Sequence, residues 1–279
     1  MNLGLLARRA EIVRGMRAYF DARGFLEVET PVRLDAPAPE CHIDCPPVAT
    51  GGFLRASPEL QMKKLLAAGL DWIYQIGPCF RDGERGARHS PEFTMVEWYR
   101  RDASYRDIAA DLKGLLGALA GEGRLVFREL TVRAAYCAYA WWDPWTDWDA
   151  DRFDFDMATV IEPRLREAGG CVFLMDYPVQ AASLARLRGD VAERWEFYWD
   201  GIELANCFSE LCDADEQRRR FAAARAERRV LGEADYPPDE AFFAALPAIG
   251  RAAGVALGVD RLVMALTGAR TIDDVRVGK

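Results

Sequence analysis

What is missing from this 279-residue sequence narrows its class before any motif is read. No window holds the roughly 20 apolar residues that a membrane helix needs, and the N-terminus lacks a signal-peptide pattern, so we expect a cytoplasmic protein with no membrane association. Positive charge is not in excess: the formal net charge is −8, which argues against a domain that grips nucleic acid by its backbone, although a local basic patch is compatible with it. A disulfide framework is missing too, because seven scattered cysteines, an odd number, read as reduced thiols. Cys41-His42-x-x-Cys45 has the spacing of half a zinc site, but no second pair with metal spacing exists, and incidental thiols are the preferred reading. Neither an internal repeat nor a linker divides the chain. We therefore expect a single domain over 1–279, with 51% hydrophobic residues to supply its core.

What is present is concentrated between Tyr74 and Arg100. Tyr74, Ile76 and Phe80 alternate with Gln75, Gly77, Cys79 and Arg81, which predicts a strand. Phe93, Met95, Glu97 and Tyr99 share one face of a second strand. The turn between them carries Asp82, Gly83, Glu84, Arg85, Gly86, Arg88 and His89, one of two histidines in the chain. Such a hairpin can grip a nucleotide triphosphate and a small cationic ligand. It is equally compatible with a solvated hairpin bearing ordinary surface charge.

Elsewhere, the spacing predicts a helix over Leu5–Phe20, a strand over Phe25–Thr30 and an irregular proline-rich loop over 35–52. Ser57-Pro58-Glu59 opens a helix to Leu66, with the serine as its cap. A core-facing helix follows from Tyr105 to Leu119, capped by Ser104 and Asp107. The stretch 121–170 is a divergent insertion, and its tryptophans 141, 142, 145 and 148 among aspartates suggest a surface segment anchored by aromatics. Cys171–Tyr177 reads as a buried strand, and Arg194–Leu204 as two strands turning at Asp200-Gly201. Charged and short helices over Asp213–Val230 and Asp239–Leu246 precede a small-residue strand, Gly254–Val259, which leads through Asp260-Arg261 into an apolar helix.

Three further groupings carry possible chemistry. Glu196 and Glu203 flank the Asp200-Gly201 turn, and hard carboxylate oxygens are what magnesium prefers, although two surface glutamates fit the spacing as well. Asn206, Phe208 and Glu210 alternate along one strand face. A pocket carboxylate about 4 Å from a substrate ammonium gains roughly 4 kcal/mol at an effective dielectric near 20, enough to select a cationic side chain. Arg261 can meet a phosphate or stack on a base.

Taken together, Phe25–Pro31, Phe80–Tyr99 and Gly254–Arg261 resemble motifs 1, 2 and 3 of the class II aminoacyl-tRNA synthetases. ASPEL at 56–60, RHSPEFTMVEWY at 88–99, GIELANCFSEL at 201–211 and GVALGVDRL at 254–262 are similar to the lysyl subgroup. The first predicted helix leads straight into motif 1, so we expect no anticodon-binding domain before it. The chain therefore resembles the stand-alone relatives of lysyl-tRNA synthetase that act as elongation factor P lysine ligases.

The resemblance implies an α+β fold, an antiparallel sheet flanked by helices, and a homodimer formed through the segment around Pro31. It implies ATP and Mg2+ as cofactors, lysine or β-lysine as the activated amino acid, and elongation factor P rather than tRNA as acceptor. Arg81 would hold the substrate carboxylate and the α-phosphate. Phe93 would stack on adenine, Arg261 would cover its other face, and Glu84 and His89 would help bind the nucleotide. Glu196 and Glu203 would position magnesium. Glu59 would take the α-amino group, Glu210 and Tyr99 the ε-ammonium, and Glu97, Asn206 and Phe208 would complete the pocket. Ala256 stands where tRNA-charging relatives have glycine, a difference tied to β-lysine preference. Two departures stand out: Glu84 follows Gly83, one position later than in the tRNA enzymes, and Cys207 replaces a glycine, adding bulk beside Asn206. Also compatible with these motifs are a ligase that acylates tRNA or another carrier, and a non-catalytic paralogue that binds or regulates.

Overall fold

The structure is a computed structural model that describes residues 2–41 and 43–277. His42, and with it the centre of the Cys41-His42-x-x-Cys45 grouping, lies outside the described residues, as do Gly278 and Lys279. The chain divides into two compact units, one built from residues 1–102, 212–252 and 256–279, the other from 103–211 and 253–255.

The first unit opens with α1 (Leu3–Asp21), whose first turn is capped by the Asn2 side chain accepting the Leu5 N–H. Its inner face presents Ile12, Met16, Tyr19 and Phe20, as the periodicity requires. The strand expected over Phe25–Thr30 is much shorter. Only β1 (Leu26–Glu27) pairs, in parallel with a later strand. Thr30 turns its hydroxyl and N–H onto the Gln75 side chain instead, and Pro31 has no N–H to give. Short strands β2 (Arg33–Leu34) and β3 (Phe53–Leu54) bracket the proline-rich loop, and α2 (Glu59–Ala67) follows.

The hairpin is formed by β4 (Trp72–Phe80) and β5 (Glu92–Arg101), antiparallel in unbroken register from Trp72 opposite Arg100 to Phe80 opposite Glu92. Phe20 stacks on Tyr74 with ring centroids 4.5 Å apart and packs 5.3 Å from Trp98, fixing α1 against the hairpin.

In the second unit, α3 (Tyr105–Ala120) carries the expected capping box between Ser104 and Asp107. Then come β6 (Phe127–Thr131), α4 (Val132–Ala135) and α5 (Ala150–Asp156), the two helices each running into one π-helical turn, and α6 (Glu162–Ala168). The strands β7 (Cys171–Pro178), β8 (Leu187–Arg188), β9 (Val191–Trp199) and β10 (Ile202–Ser209) complete it, in the order β10-β9-β7-β6 with β8 also on β9. Only β6 and β7 run parallel. The turn at Asp200-Gly201 has φ of 48° and 67°, the positive values a tight two-residue hairpin demands.

The tryptophan-rich stretch is more than a surface insertion. Trp142, Trp145 and Trp148 pack on a buried cluster to which the same stretch contributes Tyr136, Phe153, Ile161 and Leu165; only Trp141 stands in solvent. Tyr136 and Phe153 stack face to face at 4.7 Å. This core was illegible in the sequence because each helix is short and interrupted, so no regular stripe develops.

The chain returns to the first unit through α7 (Ala214–Leu231) and α8 (Glu240–Ile249), capped by Asp213 and Asp239. Then β11 (Ala252–Gly258) leads directly into α9 (Val259–Thr267), whose first turn contains Asp260 and Arg261. Helices cover the strands within each unit, α2 and α9 in the first, α3 and α4 in the second. This is the α+β organisation, antiparallel strands flanked by helices, that the sequence implies.

Candidate active site

Arg81 leaves the end of β4 with its N–H on the Pro91 carbonyl at 2.9 Å, and its guanidinium lies 5.1 Å from the Phe93 ring centroid. Gly83, at φ +75°, makes a turn that a side chain would strain, and Glu84 comes back to within 3.5 Å of Arg81. The one-position displacement of this glutamate therefore still leaves it paired with the arginine. The Arg81 Nε is buried with no hydrogen-bond partner, so an arriving carboxylate or phosphate oxygen would offset a desolvation already incurred.

Beyond the turn, Gly86 and His89 exchange backbone hydrogen bonds of 3.2 and 3.3 Å, which presents the histidine ring to α9. Its Nε2 lies 2.6 Å from Arg261 Nη2, and Arg261 Nε donates to the Arg88 carbonyl at 3.3 Å. Burial and then the neighbouring Arg261 push the His89 pKa down, keeping the ring neutral and able to accept from the guanidinium. The helical turn that carries Arg261 is tied down through Asp260, a residue for which the sequence suggested no role. Asp260 is 2% exposed, pairs with Arg9 at 2.7 Å and accepts the Thr94 N–H at 2.7 Å, tying α9 to α1 and β5. An acid in a first helical turn is legible from sequence, but a partner some 250 residues away is not.

A second grouping in this unit is acidic. Glu97 is wholly buried; it accepts the Ser57 hydroxyl at 2.6 Å and the Tyr99 hydroxyl at 2.8 Å. Burial first, and Glu59 second, raise its pKa to about 8. Glu59 in turn bonds Lys63, fully buried one turn along α2, at 2.6 Å. Ser57 accepts the Glu59 N–H at 3.0 Å, but the cap position expected for it is held by Pro58, which has no side-chain cap bond, and the Ser57 proton goes to Glu97. Neither Lys63 nor this second duty of Ser57 was apparent in the sequence. Arg55, 1% exposed, backs the grouping with bonds to the Thr30 and Pro78 carbonyls. Ala256 lies on β11 in the same unit, half-buried.

In the second unit Glu196, Glu203, Asn206 and Phe208 occur on paired strands, with Asn206 opposite Glu196 and Glu203 opposite Tyr198. Glu196 receives a hydrogen bond of 2.6 Å on each oxygen, from Arg194 Nη2 and from the Tyr198 hydroxyl. Arg194 also donates to Asn206 Oδ1 at 3.3 Å and to the Ala181 carbonyl at 2.8 Å. Its guanidinium lies over the rings of Tyr177 and Phe208, at 4.3 and 5.7 Å. The Arg194 charge is held despite burial chiefly because Glu196 is beside it. Nothing in a strand pattern singles this arginine out. Glu210, just past β10, is 3% exposed.

The bulk of Cys207 does not fall where the sequence suggested. Strand alternation turns it to the opposite face from Asn206 and Phe208, where it is fully buried and burial holds its thiol well above the usual range. Cys41 donates its thiol to Glu227 at 3.1 Å, and among the described residues no group of three or more His, Cys, Asp or Glu is arranged to hold a metal. Two carboxylates suffice for magnesium when phosphates and water supply its other ligands, so Glu196 and Glu203 fit that ion by donor chemistry. They do not fit an all-protein metal cage.

The family model for class II tRNA synthetases (D, K and N) matches residues 3–277. The chain belongs to this family. Among curated relatives it is 37% identical to the elongation factor P--(R)-beta-lysine ligase of Proteus mirabilis (strain HI4320), over 98% of this chain and 94% of the relative. It is 36% identical to the protein of that name from Vibrio cholerae serotype O1, again over 98% and 94%, and 36% identical to that of Histophilus somni (strain 2336), over 97% and 93%. Near-complete coverage of both partners carries the likeness through the 121–170 stretch, where the sequence signal is weakest. No helix among the described residues is long and apolar enough to cross a membrane.

Proposed function

We propose that this protein uses ATP to activate lysine or β-lysine as the acyl-adenylate and passes it to a lysine side chain of elongation factor P, acting in the cytoplasm as a homodimer. The observation that carries the reading is the buried acidic grouping of Glu97 and Glu59, in the same unit as the Arg81, Phe93 and Arg261 group. The first suits an amino acid with a surplus amine, and the second suits a nucleotide. The relatives' names and their matching lengths support the choice of acceptor.

In this reading Arg81 neutralises charge as the substrate carboxylate attacks the α-phosphorus, and its unpartnered Nε supplies a donor there. Phe93 and Arg261 sandwich the adenine, while neutral His89 and Glu84 orient the phosphates. Glu59 and Glu97 receive amines, with Tyr99 donating to Glu97 and fixing its plane. By their motif positions in the family, Asn206, Phe208 and Glu210 are assigned to the amino-acid side chain, and Ala256 to the preference for β-lysine. Glu196 and Glu203 would hold magnesium, which when bound offsets phosphate charge as pyrophosphate leaves. No protein nucleophile is required, because positioning and electrostatics supply the rate.

The test is pyrophosphate exchange dependent on lysine or β-lysine, followed by acceptor labelling. Exchange with a cationic amino acid and transfer to elongation factor P support the reading. No exchange with any such amino acid overturns it; transfer to tRNA but not to the factor overturns the acceptor. Sedimentation at micromolar concentration checks the dimer.

A further inference from the structure

Arg194 stands apart from the residues given roles above, yet it touches three of them. Its Nη2 reaches Glu196 at 2.6 Å, its Nε reaches Asn206 at 3.3 Å, and its plane overlies Phe208. The remaining nitrogen is anchored on the Ala181 carbonyl at 2.8 Å, so the guanidinium cannot turn without breaking a bond to the main chain.

Two consequences follow. Because Nε donates to Asn206 Oδ1, the amide is locked with its NH2 group pointing away from the guanidinium and available as a donor. Because Nη2 lies against one Glu196 oxygen while the Tyr198 hydroxyl holds the other, the carboxylate plane is fixed and part of its charge is already neutralised. A lysine in this place keeps the charge but cannot serve Glu196, Asn206 and Ala181 together, nor lie flat on a ring.

We propose that Arg194 is a positioning residue that sets the orientation of Asn206 for the amino acid and the effective charge of Glu196 for magnesium. The inference rests on the ligase reading given above. It separates a geometric duty from an electrostatic one, and two variants resolve them. Arg194→Lys removes the fork and keeps the charge, whereas Arg194→Gln removes both.

The experiment measures lysine affinity by calorimetry without nucleotide, the magnesium midpoint and ATP KM of pyrophosphate exchange, and the thermal midpoint of each variant. Both variants are expected to bind lysine about tenfold more weakly, as loss of hydrogen bonds from a charged donor implies, with ATP KM within about twofold of wild type. Arg194→Lys keeps the wild-type magnesium midpoint; Arg194→Gln needs less magnesium, since Glu196 is released from its guanidinium. A purely structural role would weaken lysine and ATP together and leave the magnesium midpoint alone, and that pattern overturns the proposal. So does wild-type lysine affinity in Arg194→Lys while the wild-type protein binds lysine normally. A wild-type protein that binds no cationic amino acid removes the ligase reading and this inference with it.

Discussion

The Glu97 carboxylate accepts the hydroxyl of Tyr99, two residues along the same strand, at 2.8 Å, and both side chains are buried. Its other hydrogen-bond partner, Ser57, is also neutral, while Glu59 is a nearby like charge and Arg55 the cation that partly offsets it. With its pKa raised to about 8, Glu97 is protonated at neutral pH when no amine is bound. An ammonium arriving beside it should displace that proton. Lysine affinity is therefore expected to rise about tenfold per pH unit between pH 6 and 8 and then to level off, a slope that calorimetry can read directly. Glu97→Gln should flatten the profile.

Stability should move the other way. The folded protein holds the Glu97 proton more tightly than the unfolded chain, whose carboxylate has its ordinary pKa of 4.5. The unfolded state thus binds fewer protons between pH 4.5 and about 8, and this group's contribution to stability falls as pH rises through that window. Urea midpoints of wild type and Glu97→Gln, compared at pH 6 and pH 8, should diverge in that sense. A wild-type midpoint that rises relative to the variant would contradict it.

Lys63 neutralises Glu59 inside the first unit at 2.6 Å. Lys63→Met should cost about 3 kcal/mol, because it strands a largely buried carboxylate, and Lys63→Met with Glu59→Gln should cost less than the sum of the two. A double-mutant cycle in urea gives the coupling directly.

Gly77 has no room for a side chain: a Cβ would come within 2.7 Å of the Arg55 guanidinium. Gly77→Ala should lower stability by about 1–3 kcal/mol through displacement of Arg55 from Thr30 and Pro78. Thermal melts check the loss, and Gly117→Ala, which meets nothing within 4 Å, serves as the control.

Arg261→Ala should depress pyrophosphate exchange by about 100-fold or more, the scale for losing one preorganised charge from a transfer site. Asp260→Asn should act in the same direction more weakly and also lower the melting temperature, since Asp260 carries Arg9. Glu210→Gln is expected to erase discrimination between lysine and its neutral isosteres; preserved selectivity would remove Glu210 from the pocket.

Much of this arrangement was legible in the sequence wherever a local rule was enough. The β4–β5 hairpin follows from alternation, and the Ser104–Asp107 box and the Asp200-Gly201 turn follow from short-range chemistry. The face occupied by Glu196, Asn206 and Phe208 follows from period two. What stayed hidden depends on distant partners. Asp260 matters because Arg9 and Thr94 meet it, and Lys63 looks like any helix lysine until the burial around it is known. The early strand was overcounted because Thr30 trades a ladder bond for Gln75. The tryptophan-rich stretch defeated periodicity because a π-helical turn interrupts each helical run and shifts the phase of its stripe.

Gly201 offers a different kind of handle. A Cβ there would collide with the main chain of Arg166 at 2.6–2.9 Å, so α6 is pressed against the turn that joins the two strands bearing Glu196 and Glu203. For anyone building variant libraries, position 201 and its neighbours on α6 form a remote tuning knob: changes there strain the spacing of the two carboxylates while every residue that meets a substrate keeps its identity.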